Sequence, residues 1–325
     1  MRISAELPRG AQDVPTATDA LANRATGENF PVALRLLPAR HRRHLMAVYG
    51  FARTADDVGD QAPPADRLRL LEELEADLFR LYAQSGGAGR DAGRSGGAGR
   101  DADRSGGAGR DAGSGEGAAE PPRIDVIRAL GPAVAECGIP MQPFLDLIKA
   151  NQQDQVVSRY RTFEDLLGYC RLSANPVGRI VLHVFGCYTE PRAELSDAIC
   201  TALQLAEHWQ DVAEDLRAGR IYLPAEDMES YGCSAQDLAA ASAAAPVRAL
   251  IAFEVARASG LLAAGAPLIG ALRGAARAAV AGYVAGGRAA LAAIAAADYD
   301  VLRGTPVARR RRVAGELVLA YARGR

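Results

Sequence analysis

The sequence lacks the features that would place the protein outside the cell or inside a bilayer. Its five cysteines are odd in number and widely spaced, with no CxxC pair, which argues against a disulfide framework or a zinc site. Residues 1–15 contain no apolar core of the kind that secretory signals carry. The longest uncharged apolar stretch, 258–272, is too short and too rich in Gly and Pro to span a bilayer. These absences predict a soluble, cytoplasmic protein with reduced thiols.

An excess of charge of one sign is also missing. The formal net charge is −1 over 325 residues, and Lys149 is the only lysine. A balanced charge gives no strong electrostatic attraction for nucleic acid, so we expect no nucleic-acid partner. No GxGxxG segment follows a predicted strand, so we expect no nicotinamide cofactor. Hydrophobic residues make up 49% of the chain, which is enough for one large core.

Alternating strand patterns are absent as well, and apolar residues recur three and four positions apart through most of the chain. Two helices are predicted between residues 22 and 82, separated by Pro63 and Pro64. The Ala-rich C-terminal third favours helix by propensity alone. We therefore predict an all-α fold, with further helices near 124–137, 141–154, 163–187, 191–218, 234–242, 246–262, 265–296 and 307–323.

A Gly-rich unit of ten residues interrupts this pattern. It occurs three times between residues 85 and 114 and contains almost nothing that could form a core. We therefore expect 85–121 to be a disordered loop inserted in one helical domain, 22–305. A flexible arm, 1–21, precedes the domain. A basic amphipathic tail helix, 306–325, follows it and suits the inner face of a membrane.

The predicted helix around residues 49–60 carries polar groups along one face. Each residue of a helix advances about 100°, so Tyr49, Arg53, Asp56 and Asp60 share that face. Two carboxylates one turn apart repel each other, and a bound cation would reverse that cost. Hard oxygen ligands without cysteine suit Mg²⁺ rather than zinc.

A second acidic face occurs near residue 211. The same advance of about 100° per residue places four polar residues on the helix face of Asp211: Gln204, Glu207, His208 and Asp215. Acidic pairs at this spacing are also common on solvated helix faces. Either acidic face alone is therefore as consistent with an ordinary solvent-exposed surface as with a metal site. The presence of two acidic faces, each flanked by apolar residues on the same helical turns, favours a shared metal site.

Four segments in order, ENFPVALRLLP, YGFARTADDVGD, YCRLSANPVGRIVLHVFG and QDVAEDLRAGRIYLP, resemble the squalene/phytoene synthase family. Within it, ENFPVA and YCRLSANPVGR are similar to the hydroxysqualene synthase branch of bacterial hopanoid biosynthesis. Members of that branch convert presqualene diphosphate and water to hydroxysqualene. The resemblance implies a single large helical bundle of the isoprenoid synthase type with a central active-site cavity. It also implies two or three Mg²⁺ ions bound with the substrate diphosphate.

The resemblance assigns the acidic residues their roles. The family's two Asp-x-x-x-Asp motifs fall on the pair Asp56 and Asp60 and on the pair Asp211 and Asp215. With Glu207, which stands where the family often has Asn or Asp, these carboxylates would bind the metal ions. The tyrosine and arginine that precede the first motif, and that would join the four aspartates in catalysis, fall on Tyr49 and Arg53.

Candidate substrate contacts come from three sources. The family's glutamine and its Gly-Arg-x-Tyr-x-Pro segment fall on Gln204, Arg220 and Tyr222. A carbocation needs an apolar and aromatic wall, for which Phe30 and Tyr169 are candidates beside Tyr49. Pro176 predicts a helix kink, where Asn175 could face either the reacting centre or its local neighbours.

Leu172 stands where squalene synthases carry a second tyrosine. The loss of that phenol is compatible with an enzyme that performs only a later step, so we expect water capture from presqualene diphosphate. One alternative is head-to-head condensation to presqualene diphosphate, squalene or phytoene. Another is a non-catalytic helical scaffold that holds a prenyl enzyme or a membrane surface. The expected partners are a prenyl diphosphate substrate and either a membrane surface or neighbouring pathway enzymes.

Overall fold

Helices make up most of the described part of the chain, as the apolar spacing predicts. The structure, a computed structural model, describes residues 37–91, 120–308 and 310–324. The predicted arm, most of the Gly-rich repeat and Phe30 lie outside these ranges. Within them there is no β-strand, and residues 159 and 221 form an isolated bridge.

Fourteen helices occupy the described ranges, and they are numbered here in chain order. They are α1 (Ala39–Gln61), α2 (Arg67–Asp91), α3 (Asp125–Cys137), α4 (Gln142–Gln153), α5 (Phe163–Ser173), α6 (Asn175–Val184), α7 (Glu190–Gln210), α8 (Val212–Arg217), α9 (Ala225–Ser230), α10 (Ala235–Leu238), α11 (Ala245–Gly265), α12 (Leu268–Ala271), α13 (Gly274–Ala296) and α14 (Arg310–Arg323).

The end of α2 differs from the prediction. The helix continues to Asp91, so it includes residues 85–91, where we predicted the start of a disordered loop. Once nucleated, a helix gains one hydrogen bond for each residue added, so even a Gly-rich stretch can extend it. Residues 92–119, the rest of the repeat and its flank, lie outside the described ranges.

Two predicted long helices are each divided in two. The first breaks at Ala174, between α5 and α6, because Pro176 has no backbone N–H to donate. This break confirms the predicted kink. The second breaks at Asp211 (φ −104°, ψ 16°), between α7 and α8. That break was not predicted, since no Pro or Gly lies at Asp211 to indicate it.

Two clusters of buried apolar side chains form the core. The first is built mainly by α1–α4, where Phe51 and Phe144 meet edge to face at 5.1 Å. The second is built mainly by α5–α14 around Trp209, which is fully buried. Helix α6 contributes Ile180 to the first cluster and Leu182 to the second. All five cysteines are free, as their spacing predicts.

In the described part of the chain, two helical segments are long and apolar enough to cross a membrane by length and composition alone. They are Ala245–Ala271 and Gly274–Ala296, and 44% and 56% of their most apolar windows are buried within the bundle. Both pack against α7 and against each other. Core helices of soluble bundles meet the same criteria, so the finding is weak evidence for a membrane span.

Gly59 lets α1 approach α4 closely beside Asp56 and Asp60. A Cβ atom at this position would lie 2.5 Å from Oδ1 of Asn151, closer than real Cβ contacts come. Asn151 is buried, and its Nδ2 donates to Asp56 Oδ1 at 3.0 Å. Gln155 Nε2 donates to the Gly59 carbonyl at 3.1 Å. Because Gly59 has no side chain, α1 packs close enough to α4 for Asn151 to fix the position of Asp56.

We expect Gly59→Ala to destabilise the fold by roughly 1–3 kcal/mol, because Asn151 must shift within a packed interface. Gly168→Ala is the matched control. It lies inside α5 with nothing within 4 Å of the added Cβ, so stability should rise by roughly 0.5–1 kcal/mol. Urea unfolding of both variants measures the difference. Equal or greater stability of Gly59→Ala would contradict a tight contact between α1 and α4.

Candidate active site

A cavity of about 470 Å³ opens between the two core clusters. One end is polar, with Tyr49, Arg53 and Asp56 from α1 and with Gln204 and Glu207 from α7. The remaining wall is largely apolar and includes Leu45, Val48, Val177, Val181, Leu182, Ile199, Leu203, Leu268 and Val280. Helix α7 follows the cavity from residue 207 to residue 196, about 16 Å at 1.5 Å per residue. The cavity therefore suits a molecule with a charged head and a long hydrocarbon body.

The first aspartate motif, Asp56 and Asp60, lies on α1 at the polar end. Asp56 is exposed at the rim, but the protein packed beside its carboxylate removes part of its water and raises its pKa. The hydrogen bond from Asn151 opposes this rise, the nearby charge of Asp60 adds to it, and Arg53 lowers the pKa. Arg53 also forms an ion pair with Asp57 at 2.9 Å. The motif thus holds carboxylates at an electrostatic cost.

The second aspartate motif, Asp211 and Asp215, lies at the break between α7 and α8. Thr305 Oγ1 donates to Asp211 Oδ1 at 3.0 Å. The pKa of Asp215 is raised to about 7, mainly by burial and also by the charge of Asp211, while Arg220 opposes the rise. Burial also raises the pKa of Asp211. A cation at this place would favour the ionised form of both groups.

Arg220 connects the two motifs. Its guanidinium donates to Asp60 Oδ1 at 2.8 Å, although the two residues are 160 positions apart. The chain turns at Gly219 (φ +86°), and Ile221 N then donates to Ser158 O at 3.0 Å. These contacts position Arg220 beside the first motif. A partly exposed ion pair adds about 1 kcal/mol or less, so its main effect is to align the two motifs.

Asp154, which the sequence analysis did not single out, lies between the motifs at the C-terminal end of α4. Tyr169 Oη donates to its Oδ2 at 2.7 Å, while its buried Oδ1 has no hydrogen-bond partner among the described residues. The pKa of Asp154 is raised to about 6, mainly by burial and also by the charges of Asp60 and Asp56. Tyr169 and Arg220 lower it. The one signal in the sequence is the polar run NQQDQ, residues 151–155, at the end of α4.

A buried aromatic layer supports these carboxylates. Tyr222 stacks on His208 with ring centroids 3.7 Å apart, and Tyr169 lies 5.8 Å from Tyr222. Burial lowers the pKa of His208 to about 3, so this imidazole is neutral. Neither Tyr169 nor Tyr222 lines the cavity, where we predicted substrate contacts. They stand behind the charged groups instead, and Tyr169 orients Asp154.

The remaining predicted contacts are divided between the cavity wall and the helix packing. Gln204 lines the cavity, with its Nε2 3.4 Å from Nε2 of His208. Asn175 is buried, accepts a hydrogen bond from Thr201 at 2.9 Å, and does not line the cavity. Ser173 does line it, and its hydroxyl donates to the Tyr169 carbonyl at 3.2 Å. The kink therefore joins α6 to α7 and presents Ser173 rather than Asn175.

The donor set at the polar end fits Mg²⁺. Among the residues described, no three His, Cys, Asp or Glu side chains converge closely enough to enclose a metal ion by themselves. Mg²⁺ commonly takes one or two carboxylates and completes its shell with water and substrate phosphates, so open spacing suits it. The unpartnered Oδ1 of Asp154 is a further acceptor. The residues that would hold the ions are Asp56, Asp60, Glu207, Asp211 and Asp215.

Comparisons with known proteins agree with this geometry. The family described as squalene/phytoene synthase matches residues 23–313. The hydroxysqualene synthase of Rhodopseudomonas palustris is 34% identical over 214 residues, which is 65% of this chain and 60% of that protein. The presqualene diphosphate synthase of the same organism is 27% identical over 226 residues, 68% of each chain. The crystal structure of a squalene synthase from Alicyclobacillus acidocaldarius matches with a TM-score of 0.69 and 37% identity, over 88% of this chain and 97% of that one.

The raised pKa of Asp215 predicts a pH-dependent stability of the metal-free protein. Its pKa is about 7 when folded and near 4 when unfolded, so the protonated group favours the folded state. This stabilisation is complete below about pH 4 and is lost as the pH rises to about 7. Asp154 and Glu254 also have raised pKa values and act in the same direction. We expect the melting temperature to fall between about pH 5 and pH 8.

The variant Asp215→Asn should reduce the slope of melting temperature against pH, because an amide does not titrate in this range. Asp125→Asn removes an exposed carboxylate on α3, outside the cavity wall, and should keep the wild-type slope. Differential scanning calorimetry in a chelator, at several pH values, makes the comparison. An unchanged slope in Asp215→Asn would show that this carboxyl is not held in a desolvated site.

Proposed function

This chain is an enzyme of the squalene/phytoene synthase family, and we propose that it ionises presqualene diphosphate and captures the resulting carbocation with water. The products are hydroxysqualene and diphosphate. The observation that carries the proposal is an apolar cavity with Asp56 and Glu207 at its polar end. Beside them Arg220 donates to Asp60 of the first motif and is near enough to Asp215 of the second to lower its pKa. The diphosphate lies at that end and the hydrocarbon fills the cavity body.

Loss of diphosphate leaves negative charge on its oxygens, and two arginines are placed to neutralise that charge. Arg53 lines the polar end of the cavity and pairs with Asp57, and Arg220 donates to Asp60, one helical turn from Asp56. Each can donate to phosphate oxygens in a charge-assisted hydrogen bond. Bound Mg²⁺ would supply the larger part of the neutralisation, held by the two motifs.

The cavity wall shelters the carbocation. Val177, Val181 and Leu203 exclude bulk water, which would otherwise quench the cation at several positions. Tyr49 brings an aromatic ring to the polar end, where a ring face can stabilise positive charge. Ser173 and Gln204 are polar groups on the same wall and are suited to hold a single water for capture.

Two points favour water capture over condensation. Leu172, where the family resemblance places a phenol in squalene synthases, packs half-buried against the second core cluster. The relative with 34% identity is named a hydroxysqualene synthase, and the presqualene diphosphate synthase of the same organism is more distant at 27%. The whole activity remains a proposal, since the match spans 60% of that first relative's length.

The second candidate is head-to-head condensation of two shorter prenyl diphosphates. It is favoured by one observation, the pair of aspartate motifs, because both reactions begin with loss of diphosphate. A non-catalytic scaffold is the weaker reading. Such a protein would have no need to hold four carboxylates beside a cavity at the cost of raised pKa values.

Oxygen labelling separates the two reactions. The purified protein is incubated with Mg²⁺ in ¹⁸O-labelled water, without a nicotinamide, and with presqualene diphosphate or farnesyl diphosphate in separate reactions. We expect presqualene diphosphate to give diphosphate and an alcohol carrying one heavy oxygen, as identified by mass. An unlabelled hydrocarbon, or turnover only with farnesyl diphosphate, would assign the protein to the condensing reaction.

Variants of the motifs test the assignment of the acidic residues in the same assay. Asp56→Asn and Asp211→Asn should each remove turnover while keeping the helical circular dichroism spectrum, since a neutral amide is a poorer ligand for Mg²⁺. Asp66→Asn, at an exposed position next to α2, is the control and should retain activity. Full activity of both motif variants would contradict the metal-binding role.

A further inference from the structure

The outer face of α14 is apolar and exposed. The helix packs on α13 through its inner side, where Ala320 is fully buried. On the outer side Val318 and Leu319 are 68% and 44% exposed. Tyr321 is 45% exposed, but the guanidinium of Arg277 from α13 lies over its ring, 4.7 Å from the centroid. Val307, which lies just before the helix, is 79% exposed. Neighbouring large apolar side chains left in water indicate a surface that another body covers.

Basic side chains share that outer face. Arg311 lies seven residues before Val318 and Arg312 seven before Leu319, which places each pair within about 20° around the helix axis. Both arginines are exposed, as is Arg323 at the end of the helix. Glu316 is the only acidic residue in α14. The face is therefore basic, although the whole chain carries a net charge of −1.

We propose that Val307 and the outer face of α14 form a docking surface for an anionic lipid bilayer, on which the helix lies parallel to the membrane plane. The apolar side chains would enter the acyl boundary, and the arginines would contact lipid phosphates. A second copy of the chain fits less well. A two-fold dimer through this face would place the arginines of one α14 against those of the other.

The docking surface adjoins the polar end of the cavity. The segment between α13 and α14 passes over the second aspartate motif, where Thr305 donates to Asp211 at 3.0 Å. The side chain of Gln210 also donates to the Pro306 carbonyl. Val307 follows directly, so the exposed apolar residues begin two positions from a contact with Asp211. A docked helix thus brings the second motif close to the bilayer, where a long prenyl diphosphate would reside.

Vesicle co-sedimentation of the full chain tests the proposal with phosphatidylcholine alone and with phosphatidylcholine containing phosphatidylglycerol. We expect binding to the anionic vesicles and a marked loss of binding as salt is added. Reversing Arg311 and Arg312 to Glu should weaken that binding by at least about tenfold. Replacing Val318 and Leu319 by Asp should weaken it to a similar degree, and this loss should remain in low salt.

The matched control reverses Arg42 and Arg43 to Glu, since these are also adjacent, exposed arginines on a helix. This variant should bind vesicles as the wild type does. All variants should keep the helical spectrum and the turnover measured in detergent, so docking and catalysis are judged separately. The proposal is overturned if the wild type ignores anionic vesicles or if the control loses binding equally. It is also overturned if the wild type is a dimer that the α14 variants dissociate.

Discussion

Carboxylates held close together at one end of an apolar cavity are the constraint on which the other features of this structure depend. Asp56, Asp154 and Asp215 all have pKa values raised by burial and by the charge of neighbouring carboxylates. Such an arrangement opposes folding in the absence of a cation, because each charge loses water and gains a repulsive neighbour. Arg220 offsets part of this cost by donating to Asp60 and by lowering the pKa of Asp154 and Asp215. A site of this kind gains from bound metal ions and loses without them.

The scaffold positions these groups by a few local departures from regular helix. Gly59 removes a side chain so that Asn151 reaches Asp56 across the α1–α4 contact. The break at Asp211 ends α7, which lines the cavity, and starts α8, which carries Asp215. Behind both, stacked aromatic rings exclude water from the inner side of the carboxylates. Rigid helices thus carry the ligands, and short irregular segments set their directions.

The sequence predicted the helical class and both aspartate motifs because these depend on spacing along the chain. It did not predict Asn151 or Thr305, which meet Asp56 and Asp211 from 95 and 94 residues away. Such contacts arise from the packing of whole helices, which apolar periodicity does not specify. Helical spacing predicted His208 on the same face as Asp211. The helix breaks at Asp211, however, and the His208 ring packs in the core, stacked on Tyr222. The expectation of a central cavity came from the resemblance to a known family, because the spacing of residues along the chain does not predict one.

The most direct test is a crystal structure of the protein with Mn²⁺, which replaces Mg²⁺ and can be located by anomalous scattering, and a non-cleavable presqualene diphosphate analogue. We expect metal peaks about 2 Å from oxygens of both the first and the second aspartate motif. The diphosphate of the analogue should lie between the motifs with its hydrocarbon in the cavity. Metal and diphosphate bound away from either motif, or an analogue outside the cavity, would contradict the account.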